Sequence, residues 1–162
     1  MKRLVLINVL LATVFTFVGC TDETTETPVL TETPAVTETR ALAEAQALAE
    51  AGNAEAQFKL GNLYAEGVVV PNDFAEAAKW FRKAGDQGHA EALYFLGVIY
   101  ANGFSVPVDF AEGYVWFCLA AKSGFEIATG DCDNLAAELS PEELVLANKR
   151  IDEFYEEIQL RE

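Results

Sequence analysis

One histidine, one methionine, three cysteines and only eleven Lys and Arg residues stand in a chain of 162 residues that carries 26 Asp and Glu. Each shortage excludes something. His89 has no second histidine to share a metal with, and Cys118 and Cys132 lack the spacing of zinc ligands, so no metal site is expected. The formal charge of −15 argues against nucleic acid and against electrostatic docking on anionic lipid. No glycine-rich phosphate loop or dinucleotide fingerprint is present, so no cofactor is expected. Ser140 has no triad partners. The carboxylate pairs Glu142–Glu143 and Glu156–Glu157 are sequence neighbours, which point apart on a helix and make no acid/base dyad. An enzyme is not expected.

What the chain does have is repetition. Residues 54–88 laid on 90–124 agree at 18 of 35 positions without a gap, at an offset of 36. Leu60, Gly61, Tyr64 and Gly67 recur as Leu96, Gly97, Tyr100 and Gly103. Pro71, Asp73, Phe74 and Glu76 recur as Pro107, Asp109, Phe110 and Glu112, and Trp80, Phe81 and Gly88 as Trp116, Phe117 and Gly124. A period of this length signals a solenoid whose units bury their apolar faces against neighbours. Within a unit, Leu60, Gly61 and Tyr64 share one helical stripe. Gly67 stands where a left-handed cap ends that helix, and Pro71 prevents its resumption. Asp73 then reads as the N-cap of a second helix, with Glu76 three residues on. His89 sits at the junction between units, where its counterparts are Asn53 and Phe125, and reads as a helix-start residue.

The unit resembles the Sel-one-like repeat, a relative of the tetratricopeptide repeat. Leu-Gly-x-x-Tyr, the Val70-Pro71-Asn72-Asp73 and Val106-Pro107-Val108-Asp109 turns, Trp-Phe and the closing Gly carry the resemblance twice over. It implies an all-α fold: a right-handed superhelix of antiparallel helical hairpins over residues 40–162. Residues 41–52 fit the tail of a degenerate earlier unit, since Ala41 and Gly52 fall 36 before Ala77 and Gly88. Residues 125–158 fit a divergent closing segment, whose last helix starts at Ser140 as N-cap with Pro141 and Glu143 behind it. Six or seven helices are expected in all.

The N-terminus reads as a targeting device. Lys2 and Arg3 precede an apolar run from Leu4 to Val18, too short for a membrane span and right for a secretory signal over residues 1–19. Phe17-Val18-Gly19-Cys20 resembles the bacterial lipobox, which implies a lipidated Cys20 as mature N-terminus. Thr21 stands where an inner-membrane retention signal would place Asp, which implies an outer-membrane anchor facing the periplasm. An ordinary signal peptide or an uncleaved anchor is the alternative. Residues 20–39 read as a disordered linker: Thr25-Glu26-Thr27-Pro28 is echoed by Thr31-Glu32-Thr33-Pro34, with eight Thr and five acids in 21–39 and no base. Stretched out, it would reach roughly 60 Å. Without residues 1–19, and so without Lys2 and Arg3, nine Lys and Arg face 26 acids, a net charge of −17.

The resemblance implies a protein or peptide partner, and the expected role is a lipid-anchored adaptor in the cell envelope. A permanent structural subunit of an envelope assembly is the second reading. A cell-wall hydrolase is a third, and it needs catalytic groups the sequence does not offer. In the tetratricopeptide fold the first helix of each unit lines the concave face. The register then places Glu55, Phe58, Asn62 and Glu66 there, joined by Glu91, Tyr94, Val98 and Asn102 of the second unit, as a groove with an aromatic floor and an acidic rim. Packing of Phe58 and Tyr94 between helices is the competing expectation. Cys118 and Cys132, centred on residue 125, lie level across a turn and can pair in an oxidising compartment, or remain two free thiols.

Overall fold

The computed structural model describes residues 34–160, in which seven α-helices and no strand are found. They are α1 Pro34–Glu50, α2 Ala54–Glu66, α3 Phe74–Gly85, α4 Ala90–Asn102, α5 Phe110–Lys122, α6 Ala128–Ala136 and α7 Pro141–Gln159. The signal segment 1–19 and Cys20 lie outside the described residues. So does most of the linker, but α1 already starts at Pro34, so residues 34–39 are helical and not extended. Proline suits a first helical turn, and the Ala-, Leu- and Glu-rich run behind it is strongly helix-forming.

The two full units are built by the same local bonds. Asn53 Oδ1 accepts from the Ala56 N–H at 2.8 Å, and His89 Nδ1 accepts from the Ala92 N–H at 3.3 Å. These caps start α2 and α4. Gly67 and Gly103 end them at φ 70° and 72°, conformations that a side chain would strain. The chain turns back and closes each hairpin with one repeated bond, Asp73 N–H to Tyr64 O at 2.9 Å and Asp109 N–H to Tyr100 O at 3.0 Å. Asp73 and Asp109 then cap α3 and α5 through their carboxylates. Gly52, Gly88 and Gly124 take φ of 94°, 83° and 97° at the three unit junctions, so the period of 36 extends back to α1.

Helix pairing inside a unit depends on a missing side chain. A Cβ at Gly61 would stand 2.6 Å from the Phe81 ring, and one at Gly97 would stand 2.5 Å from Phe117. Both rings are buried and cannot retreat. Replacing Gly97 by Ala gains about 0.5–1 kcal/mol of helix propensity but overpacks the contact by about 1–3 kcal/mol. Gly97→Ala should therefore lower the urea midpoint. Gly130→Ala in α6, where the added methyl meets nothing within 4 Å, should raise it. If both variants shift alike, helix contact does not explain the Gly97 position.

The main core runs through Phe58, Phe81, Leu93, Leu96, Trp116, Leu119 and Ile151. A smaller cluster of Ala49, Ala56, Leu60 and Trp80 joins α1 to the first full unit. At the other end α7 closes the stack along α5. Tyr114 donates to Asn148 at 2.9 Å, Arg150 pairs with Glu112 at 2.6 Å and Lys122 with Asp152 at 2.7 Å. Trp116 meets Phe154 edge-on at 5.5 Å. Ser140 and Glu143 form a full capping box at the start of α7. Hydrogen bonds from the Ser140 backbone, then from its hydroxyl, hold the Glu143 carboxyl below its ordinary pKa. That support is complete above the usual carboxylate range and is lost as pH falls through the lowered value. Cys118 of α5 and Cys132 of α6 form a disulfide, with Cα atoms 5.1 Å apart.

Candidate interaction surface

Eight residues of α2 and α4 are the candidates for one groove, and the structure divides them. Phe58 is buried among α2, α3 and α4, with ring centroids 4.5 Å from His89 and 5.9 Å from both Phe81 and Phe95. It is therefore a core residue, and the aromatic floor does not exist at this position. Tyr94 is half-buried, packed on Phe117 at 5.3 Å and Phe125 at 5.0 Å. Burial, then the nearby Asp131 carboxylate, pushes its phenol pKa up. Val98 and Asn62 are half-buried, while Asn102 is exposed and donates its amide to Val98 O at 2.8 Å.

What remains on the open face of the two helices is polar apart from Val98. Glu55 and Glu91, Asn62 and Val98, and Glu66 and Asn102 form three matched pairs at the repeat offset. His89 ties the units together beneath this face. Its Nδ1 is occupied as cap acceptor, so its Nε2 carries the proton and donates to Glu55 Oε2 at 3.2 Å. The hydrogen bond from Lys59, then that from His89, holds the Glu55 carboxyl below its ordinary value.

Two cavities were not anticipated from sequence. One, of about 400 Å³, lies between α3 and α5 and is walled by Ala75, Lys79, Arg82, Tyr100, Val106 and Trp116. Arg82 stacks over the Trp116 ring at 4.6 Å and bonds Asp86 at 2.8 Å. The spacing of Ala75, Ala78, Lys79 and Arg82 along one helix stripe was the available signal. The other cavity, of about 350 Å³, opens on the outer side of the first hairpin, between Leu42 and Ala45 of α1 and Asn62, Leu63 and Glu66 of α2. Among the described residues no three His, Cys, Asp or Glu side chains converge on a metal position.

The chain is similar to known repeat proteins. The family model described as Sel1 repeat matches residues 54–89 and 90–125, the same two units that the offset of 36 defines. The crystal structure of a protective antigen of uropathogenic Escherichia coli strains, displaying an SLR fold, aligns with a TM-score of 0.72 at 28% identity, over 78% of this chain and 27% of that one. A Sel1 repeat protein from Oxalobacter formigenes aligns with a TM-score of 0.55 at 34% identity, over 57% of this chain and 37% of that one. The chain thus spans only about a quarter to two-fifths of the length of these structures. Comparison with curated protein sequences returns no significant match.

Proposed function

We propose that this chain, a carrier of two Sel1 repeats with degenerate units at both ends, is a lipid-anchored adaptor of the bacterial envelope that holds another protein or peptide on the exposed ridge of α2 and α4. Sel1 repeats in general mediate protein–protein interaction and are non-catalytic. The observation that carries the reading is the ridge itself. Glu55, Glu66 and Glu91 stand beside Asn62, Val98 and Asn102, in two units held in register by the His89 bridge to Glu55. Such a surface suits a segment with basic and small apolar side chains, held along its length by repeated positions. The anchor rests on Cys20 in its lipobox-like context and would carry several acyl chains, each buried methylene contributing about 0.8 kcal/mol. No described helix is long and apolar enough to cross a membrane.

Two measurements test the halves of this reading. Cys20→Ser should move the protein out of the membrane fraction or leave it unprocessed; unchanged mass and fractionation would refute lipidation. A photo-crosslinker placed at Asn102 should capture an envelope protein, and the same group at exposed Val145 on α7 should not. Equal capture from both positions would remove the ridge from the account. A stoichiometric partner that survives prolonged high-salt washes without crosslinking would favour the permanent structural subunit.

A further inference from the structure

Among the described residues, the outer side of α2 is flanked by α1 alone, without the first helix of a preceding unit. On α4 the residues at offset 36 from Lys59, Asn62, Leu63 and Glu66 are Phe95, Val98, Ile99 and Asn102. There Phe95 packs on Phe58 and Phe81, and Ile99 is buried. At the offset of 36 the sequence counterpart of α2 falls at residues 18–30, which lie outside the described residues. Thr24, Thr25 and Pro28 stand where Leu60, Gly61 and Tyr64 make a first helix. The α2 stripe instead flanks the cavity of about 350 Å³ that Leu42, Ala45, Leu63 and Val69 line with apolar surface.

We infer that this face binds a second copy of the chain, two α2 helices packing antiparallel across a two-fold axis. The charge pattern of the stripe is its own complement. In an antiparallel pair centred between Asn62 and Leu63, Lys59 lies opposite Glu66 of the copy and Glu66 opposite Lys59. Asn62 and Leu63 lie opposite each other at the axis. One two-fold operation therefore makes two ion pairs flanking two Asn62–Leu63 contacts, as an isologous interface requires. Both charged side chains are available for it. Glu66 is exposed, and Lys59, whose Nζ reaches Glu55 of its own helix at 3.0 Å, is 64% exposed. Leu42 and Ala45 of α1 extend the buried strip on both sides. A copy seated here covers Asn62 and Glu66 of the proposed ridge and leaves Val98 and Asn102 on α4 open, so crosslinking at Asn102 reads partner capture apart from dimer formation.

The test uses two differently tagged versions of the full chain, co-expressed and purified through one tag. The unaltered pair should co-purify. Lys59→Glu in both copies, or Glu66→Lys in both, places like charges at both contacts, and recovery should fall about tenfold or more. The decisive arm mixes them: a Lys59→Glu copy meets a Glu66→Lys copy with opposite charges at both contacts, and co-purification should return. Circular dichroism of each variant checks that the helices are intact, since both positions are exposed. Failure of the unaltered copies to associate overturns the inference. So does association that ignores the single reversals, or a mixture that stays as weak as its parents.

Discussion

Trp116→Ala should cost the protein about 3–5 kcal/mol, a large share of the 5–15 kcal/mol that a single domain of this size holds. The indole is 2% exposed and sits where three elements meet. The Arg82 guanidinium of α3 lies over its ring, and Phe154 of α7 meets it edge-on. Truncation would open a cavity between α3, α5 and α7 that rigid neighbours cannot fill. Arg82 would also lose the aromatic surface on which its stem and planar head are laid. Urea unfolding followed by far-ultraviolet circular dichroism reads the loss. Trp80 is at the same position of the preceding unit but packs into the smaller cluster around Ala49, Ala56 and Leu60. Its removal should loosen α1 first, so Trp80→Ala should show proteolytic nicking near α1 before global unfolding. Equal and fully cooperative losses from the two variants would contradict this division of the core.

How far such positions are legible in sequence depends on how local their cause is. The caps, the hairpin turn and the junction glycines follow from residues within about ten positions of one another. Asn53, His89, Asp73, Gly67 and Ser140 accordingly do in the structure what their spacing implies. Gly61 and Gly97 are a step further out, since their partner rings lie 20 residues away, but the repetition of Gly and Phe at one offset reveals the pair. Phe58 marks the limit. Whether a first-helix aromatic looks outward or inward depends on which neighbouring helices press on it. Here Phe81, Phe95 and His89 enclose it from two other elements. The start of α1 was obscured for a different reason: the Thr-Glu-Thr-Pro echo runs directly into a helix that begins on the second proline.

Loss of the Cys118–Cys132 bridge should cost about 3 kcal/mol, the loop entropy of a closed segment of about 15 residues, and the loss should fall on one end of the molecule. The sequence left pairing and free thiols equally open because the register could not say how α6 faces α5. Cys118 shares the position of Arg82, yet it is buried, because α6 packs on that side of α5 while the Arg82 side chain of α3 stays half exposed beside Trp116 and Phe154. Ala128 is the single fully covered residue of α6, which starts without a side-chain cap. A nine-residue helix with so little buried surface is marginal by itself. The disulfide is therefore its main tether, and through α6 the chain path into α7 is set. A Cys118→Ser/Cys132→Ser double variant should lower the urea midpoint accordingly. Its hydrogen exchange should rise in α6 and the start of α7 while α2, α3 and α4 stay protected. Reductant should reproduce that pattern in the unaltered chain. Intact mass after alkylation without reductant provides the direct check, because a bridged protein takes up no label at Cys118 or Cys132. Two labelled cysteines, or exchange that rises evenly through all helices, would show that α6 is held by packing alone.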